Sequence, residues 1–289
     1  FRNNSRIGLM VTNTNRRLTD ELRLLPGSAT TGGVDADIRL RSGRYNLTGF
    51  WAGSAVRGSA GAIDRLQRST VHSFQRPDAS HLDYDPSRTS LRGHAGSVGV
   101  GKISGARTRF QFNVAYTSPG FDINDLGFLT RADEVSQSTW FQVRDDRPGR
   151  FVRTFSINFN QYSGWNFDGD RRYRGGNVNA HWRFTNNWNV STGFNVNGEG
   201  FADRLTRGGP GGLVPGSLNQ WFFAGTDNRR LVSGTLNGSW FNDRNGSWSA
   251  GLSPGVTVRP NSAIAVTVNV NTNRARRDAQ WIANLDAAG

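Results

Sequence analysis

The stretch WNVSTGFNVN, residues 188–197, sorts into two chemistries by parity. Trp188, Val190, Thr192, Phe194 and Val196 fall on one side; Asn189, Ser191, Gly193, Asn195 and Asn197 fall on the other. Side chains of a strand change face at every residue, so this segment reads as a strand with one apolar and one polar side. The apolar side of such a strand packs on a core in a soluble sandwich. In a membrane barrel it faces lipid, and the polar side faces an enclosed lumen.

The same alternation recurs along the chain. The spacing predicts strands over Ile7–Asn15, Val34–Arg41, Tyr45–Ser54, Ser69–Gln75 (weaker), Leu91–Ile103, Arg107–Thr117, Val135–Arg144, Phe151–Tyr162 and Tyr173–Phe184. Beyond the quoted strand it predicts Gln220–Thr226, Leu231–Phe241, Ser247–Val258, Ala263–Thr272 and Gln280–Leu285. Very short connections (Ser42-Gly43, Thr185-Asn186, Asp227-Asn228) largely alternate with long polar ones (Arg16–Gly33, Ala55–Arg68, Arg76–Ser90, Ser118–Glu134, Gly198–Asn219). That is the pattern of an up-and-down barrel with tight turns at one end and long loops at the other. The expected fold class is all-β, an antiparallel transmembrane barrel of about 14–16 strands, an even-numbered closed barrel or an arc of a larger one. Tyr162, Trp165, Trp182, Phe184, Trp188, Trp221, Trp240, Phe241 and Trp248 stand near strand ends, as in the aromatic girdles of such barrels.

Composition agrees. Only 35% of the 289 residues are hydrophobic and the mean hydropathy is -0.56, yet 18 Phe and 9 Trp exclude a disordered chain. No run of ~18–20 apolar residues is present, which leaves strands as the only means of crossing a bilayer. Cysteine is absent, which excludes disulfides and thiol chemistry. The net charge of +13 is almost wholly arginine, with Lys102 the single lysine. The arginines are dispersed through turns and polar strand faces, which argues against nucleic acid and for an anionic lipid surface or a polar pore lining. The chain opens at Phe1 without a basic or apolar leader, so residues 1–289 read as one barrel domain excised from a longer protein.

The polar faces supply the candidate lumen lining: Arg109, Asn113, Asn158, Asn160, Asn179, His181, Arg183, Asn189 and Asn195. The loop Ser118–Glu134 supplies a candidate binding set, Asp122, Asn124, Asp125, Arg131 and Asp133. Asp122, Asn124 and Asp125 also form a candidate calcium site, because calcium takes six to eight hard oxygen ligands. The loop is expected to fold inward as a constriction or lid. In that arrangement Phe121, Leu126 and Phe128 act as apolar anchors, Arg131 pairs with Asp133, and the acidic residues face the solute path. No nucleophile elbow and no metalloprotease helix motif surrounds any serine or histidine, so no catalytic residue is assigned.

The loop SPGFDINDLGFLTRADE (118–134), with HSFQRPDASHLDYDPSRTSLRGHAG (72–96), GWNFDGD (164–170) and RLTRGGP (204–210), resembles one family across nearly the whole chain. Its members are bacterial outer-membrane proteins with an N-terminal domain like carbohydrate-binding module family 9 and a C-terminal domain of unknown function. Asp122 stands where the family usually has glutamate. The resemblance implies a C-terminal barrel in the outer membrane of a Gram-negative cell, in contact with lipid and lipopolysaccharide. The expected function is a passage, or a surface-anchored receptor, for a polar solute, with saccharides among the candidates. The alternatives are a soluble secreted β-sandwich or solenoid that binds glycans, and a membrane-anchored hydrolase.

Overall fold

The computed structural model describes residues 4–278. Alternation becomes strand wherever it is sustained. The strands are β1 (Arg6–Asn15), β2 (Ser28–Leu40), β3 (Tyr45–Arg57), β4 (Ser90–Lys102), β5 (Thr108–Thr117), β6 (Glu134–Asp145), β7 (Val152–Trp165) and β8 (Arg171–Phe184). They continue with β9 (Asn189–Asn197), β10 (Gly200–Ala202), β11 (Gly212–Val214), β12 (Ser217–Gly225), β13 (Val232–Asp243), β14 (Trp248–Val258), β15 (Val266–Asn269) and β16 (Thr272–Arg276). Among the described residues one α-helix, α1 (Ala60–Gln67), lies between β3 and β4, and a single 3-10 turn covers Asp20–Leu22.

Fourteen of the strands form a single antiparallel sheet in which, up to β15, each strand pairs with the sheet strand before it. β9 passes directly to β12, and β10 and β11 make a separate hairpin inside that connection. β15 and β16 both pair β14, so β1 and the β15–β16 pair are the two edges. The sheet is not closed among the described residues. The predicted strand Gln280–Leu285, and its pairing with Ile7–Asn15, lie outside them.

The register fixes the two faces. Asn158 stands opposite Asn179 and Asn160 opposite Asn177, while Phe159 stands opposite Val178 and Ile157 opposite Ala180. Phe159, Val178, Phe194, Phe112 and Val98 all remain exposed on the apolar face, Phe159 at 44%. No second sheet covers that face among the described residues, an arrangement that matches a barrel wall and not a sandwich. The small apolar core lies on the other face. There Ile63 and Leu66 of α1, with Phe74, Ala79 and Leu82, pack on Ala29, Val56 and Leu91 of β2, β3 and β4.

Several predicted elements are corrected. Ser69–Gln75 is a series of turns following α1, with Ser73 at φ 52°. The strand predicted from Val34 begins six residues earlier, at Ser28. Ala263–Thr272 splits between β15 and β16. Tyr162, Trp221 and Phe241 share the polar face and do not belong to an outward girdle: the Tyr162 hydroxyl donates to Asn197 Oδ1 at 2.7 Å, and Trp221 packs near His181. A Cβ on Gly193 would overlap the Trp221 indole, so glycine there makes room for an inward-facing ring.

Candidate functional site

The polar face is an amide ladder. Asn158 Oδ1 accepts from Trp140 Nε1 at 3.0 Å and from Gln142 Nε2 at 2.9 Å, and its own amide donates to Asn179 at 2.8 Å. Asn160 donates to Asn177 at 2.7 Å, Asn179 donates to Asn177 at 2.8 Å, and Asn195 donates to Asn219 at 2.9 Å. His181 bridges Ser191 and Asn179, and Arg183 donates to Asn189 at 3.2 Å. Cross-strand neighbours a few ångströms apart are within amide reach, so one asparagine per strand at matched register yields a continuous row. Each amide both donates and accepts.

Four connections at the long-loop end fold onto this same face. The loop between β5 and β6 lies flat on β3 and β4. Asp122 N donates to Ser54 Oγ at 3.0 Å, and Phe121 is only 4% exposed. A Cβ on Gly93 would overlap the backbone of Gly120 and Phe121, so only glycine permits this approach. His72, buried after α1, has Nε2 at 2.8 Å from Asp122 Oδ2 and Nδ1 at 2.7 Å from the Pro119 carbonyl. Burial pushes the Asp122 carboxyl up. The hydrogen bonds from His72 and the Asn124 amide outweigh it and hold the group below the ordinary carboxylate range. His81 joins Asp133 at 2.9 Å and Asp168 at 3.4 Å, tying in the β7–β8 loop.

The knot of the assembly is Asp203, just after β10. Its carboxylate is bonded to Arg131 and lies 3.6 Å from Arg76 and 3.5 Å from Arg172. Glu134 takes a second contact from Arg172 at 3.3 Å and accepts from the Tyr173 hydroxyl at 2.9 Å. Arg204 donates to the carbonyls of Val71 and Thr130 at 2.8 and 3.0 Å. Burial, with Arg131 close by, lowers the Arg204 guanidinium to about 10. Burial raises Asp203, but the Arg131 hydrogen bond and the surrounding guanidinium charges hold it below the usual range. Three arginines on one carboxylate give a strongly coupled centre that joins the α1 segment, the β5–β6 loop and the β10–β11 hairpin.

The model of a family described as a domain of unknown function, DUF5916, matches residues 1–288. The chain belongs to that family. No curated protein sequence matches the DUF5916 chain. Among solved structures, the ferric enterobactin receptor PfeA in complex with BCV-L6 superposes with a TM-score of 0.50 at 6% identity over 92% of this chain. The DUF5916 chain spans 43% of that receptor's length. An anion-selective porin from Comamonas acidovorans aligns at TM-score 0.42 and 10% identity, covering 94% of this chain and 90% of its own. At such identities the likeness concerns the fold, an antiparallel up-and-down barrel sheet.

Not every predicted residue of the DUF5916 chain stands where the sequence reading put it. Arg109, Asn113, Asn158, Asn160, Asn179, His181, Arg183, Asn189 and Asn195 all share the polar face. The acidic loop residues are not presented to a solute path as a set. Asp122 is 2% exposed and engaged by His72, Asn124 Oδ1 accepts from Leu129 N, and Asp125 pairs with Arg16. Asp122, Asn124 and Asp125, the candidate calcium ligands, are each engaged by a different protein partner in the structure. Arg131 and Asp133 do not pair with each other: Arg131 serves Asp203 and Asp133 serves His81. Phe121 is an anchor, whereas Leu126 and Phe128 are 66% and 84% exposed. Sequence reasoning missed Asp203, Arg76, Arg172 and Arg204, because the contacts that gather them around Asp203 join distant segments with no local spacing signal.

Proposed function

We propose that residues 1–289 form a barrel domain of the Gram-negative outer membrane that provides a restricted passage, or a surface-anchored receptor, for a polar solute of the saccharide class. The observation that carries this reading is the amide ladder on the face onto which the loops fold. A saccharide hydroxyl both donates and accepts, as do the Asn158, Asn179 and Asn195 amides opposite it. Trp140, Tyr162 and Trp221 on the same face offer flat apolar surfaces beside those amides. Transport is passive, selected by width and by the arginine charge of the wall, with no covalent step. The loops tied to Asp203 make it a gated wall in place of a freely open pore.

Planar-bilayer conductance of the full-length protein tests this. The wild type is expected to conduct weakly, and deletion of Gly120–Thr130 to raise conductance that added oligosaccharide then blocks. An inserted deletion variant that neither conducts nor responds to saccharide overturns the proposal.

A further inference from the structure

The apolar face carries one feature that a smooth lipid-facing wall does not need. A groove of about 670 Å³ runs across β7, β8 and β9. Gly176 opens it, standing in register between Gln161 of β7 and Val196 of β9. One row further from the long loops, Phe159, Val178 and Phe194 lie side by side and form an apolar floor. At the loop end the groove is lined by Arg174 and Arg244. Arg174 comes from β8, in register with Ser163, and its side chain lies over Gly198. Arg244 comes from the turn between β13 and β14, where its amide donates to the Gly216 carbonyl at 3.1 Å. It also lines the adjoining cavity of about 210 Å³, with Val196 and Leu218.

Neither guanidinium forms an ion pair among the described residues, although Arg131 and Arg172 near the same end of the sheet do. The nearest carboxylate in the adjoining cavity, Asp243, is occupied in its own turn by the amides of Asn245 and Ser247, each at 2.9 Å. Two unpaired guanidiniums therefore stand at one end of an apolar channel. From Arg174 to the Val178 row is four strand residues, roughly 13 Å, which separates a headgroup level from the acyl region. Guanidinium recognises phosphate bidentately, and arginine stems lie along apolar surface while their heads remain at the interface.

We propose that this groove is a specific site for a phosphorylated lipid of the surrounding leaflet. The headgroup phosphate sits between Arg174 and Arg244, and one acyl chain lies over Gly176 onto Phe159, Val178 and Phe194. The proposal rests on the outer-membrane reading given above. It differs from general lipid contact in naming a stoichiometric site on one side of the wall.

The test uses the full-length protein in detergent, titrated with dioleoyl phosphatidic acid and followed by native mass spectrometry. Dioleoylglycerol and inorganic phosphate serve as the two half-ligands. One retained phosphatidic acid per chain is expected, with weaker binding of both half-ligands. An arginine at a charged lipid surface contributes about 1 kcal/mol, or about fivefold, so R174Q/R244Q is expected to bind about 25-fold more weakly. Equal binding by the double variant overturns the site. So does displacement of the lipid by inorganic phosphate, or retention of dioleoylglycerol as tight as that of phosphatidic acid. Both proteins are also floated with vesicles. If both float and bind lipid equally, only the site fails. If neither enters the bilayer, the outer-membrane reading fails and takes the site with it.

Discussion

Asp203→Asn keeps the shape of the side chain and removes one charge from the centre of the loop assembly. Arg131, Arg76 and Arg172 then lose their shared counter-charge. Each keeps a second carboxylate, Asp78 at 3.2 Å for Arg76 and Glu134 at 3.3 and 3.8 Å for Arg172 and Arg131, which places the loss at the lower end of the range for a broken buried pair. Removing one partner of a buried pair costs about 3–5 kcal/mol, largely because the remaining charge stays buried and uncompensated. The cost falls on the infolded loops, since the strands hold one another through their own ladders. A penalty of about 3 kcal/mol raises the population of released loops by about two orders of magnitude. Hydrogen exchange by mass spectrometry of the full-length protein reads this directly. The amides of Ala132, bonded to the Val71 carbonyl at 3.0 Å, and Asp122, bonded to Ser54, should exchange about a hundredfold faster. Amides in β7 and β8 should be unchanged. Wild-type protection at Ala132 and Asp122 in the variant would refute the idea that Asp203 locks the loops.

Two further outcomes follow from the same contacts. Gly93→Val should push the β5–β6 loop off β3 and β4, because any Cβ at that position overlaps Gly120 and Phe121. A loss of about 1–3 kcal/mol in loop stability, typical of overpacking, should appear as faster cleavage within the loop, and unchanged cleavage would count against its packed position. Acidification should have a related effect. Asp122 and Asp203 are depressed in the folded state, so their stabilisation is complete above the unfolded value of about 3.9 and is lost as pH falls through the lower folded values. Loop exchange should therefore accelerate below about pH 4 while strand protection persists, and loop protection unchanged down to about pH 2 would contradict it.

The strands were legible because their alternation is a local signal. Arg107–Thr117 differs from β5 by one residue, and the face assigned to Asn158, Asn179 and Asn195 follows from parity alone. What was not legible depends on tertiary partners. α1 is eight residues long, and it is held by a Ser59 cap at 3.2 Å and by burial of Ile63 on β3 and β4, which no short window reveals. The segment 69–75 contains Val71 and Phe74 and resembles a strand, but those side chains serve a turn packed on the wall. Phe121 and Phe128 are equivalent in sequence, and only the space left by Gly93 decides which one is buried. Arg131 finds its carboxylate 72 residues away, so proximity along the chain led to Asp133 instead.

The central claim is that one face of this sheet meets lipid and the other meets water, and residues 155–160 test it most directly. Residues 1–289 contain no cysteine, so each substitution adds the one thiol of this domain, with any cysteine outside it replaced beforehand. Phe155, Ile157, Phe159, Ser156, Asn158 and Asn160 are each replaced by cysteine in the full-length protein, labelled with a fluorophore and reconstituted in vesicles. Labels at 155, 157 and 159 should be quenched by brominated lipid, and labels at 156, 158 and 160 by a water-soluble quencher. Loss of the two-residue alternation, or its reversal, would contradict the account.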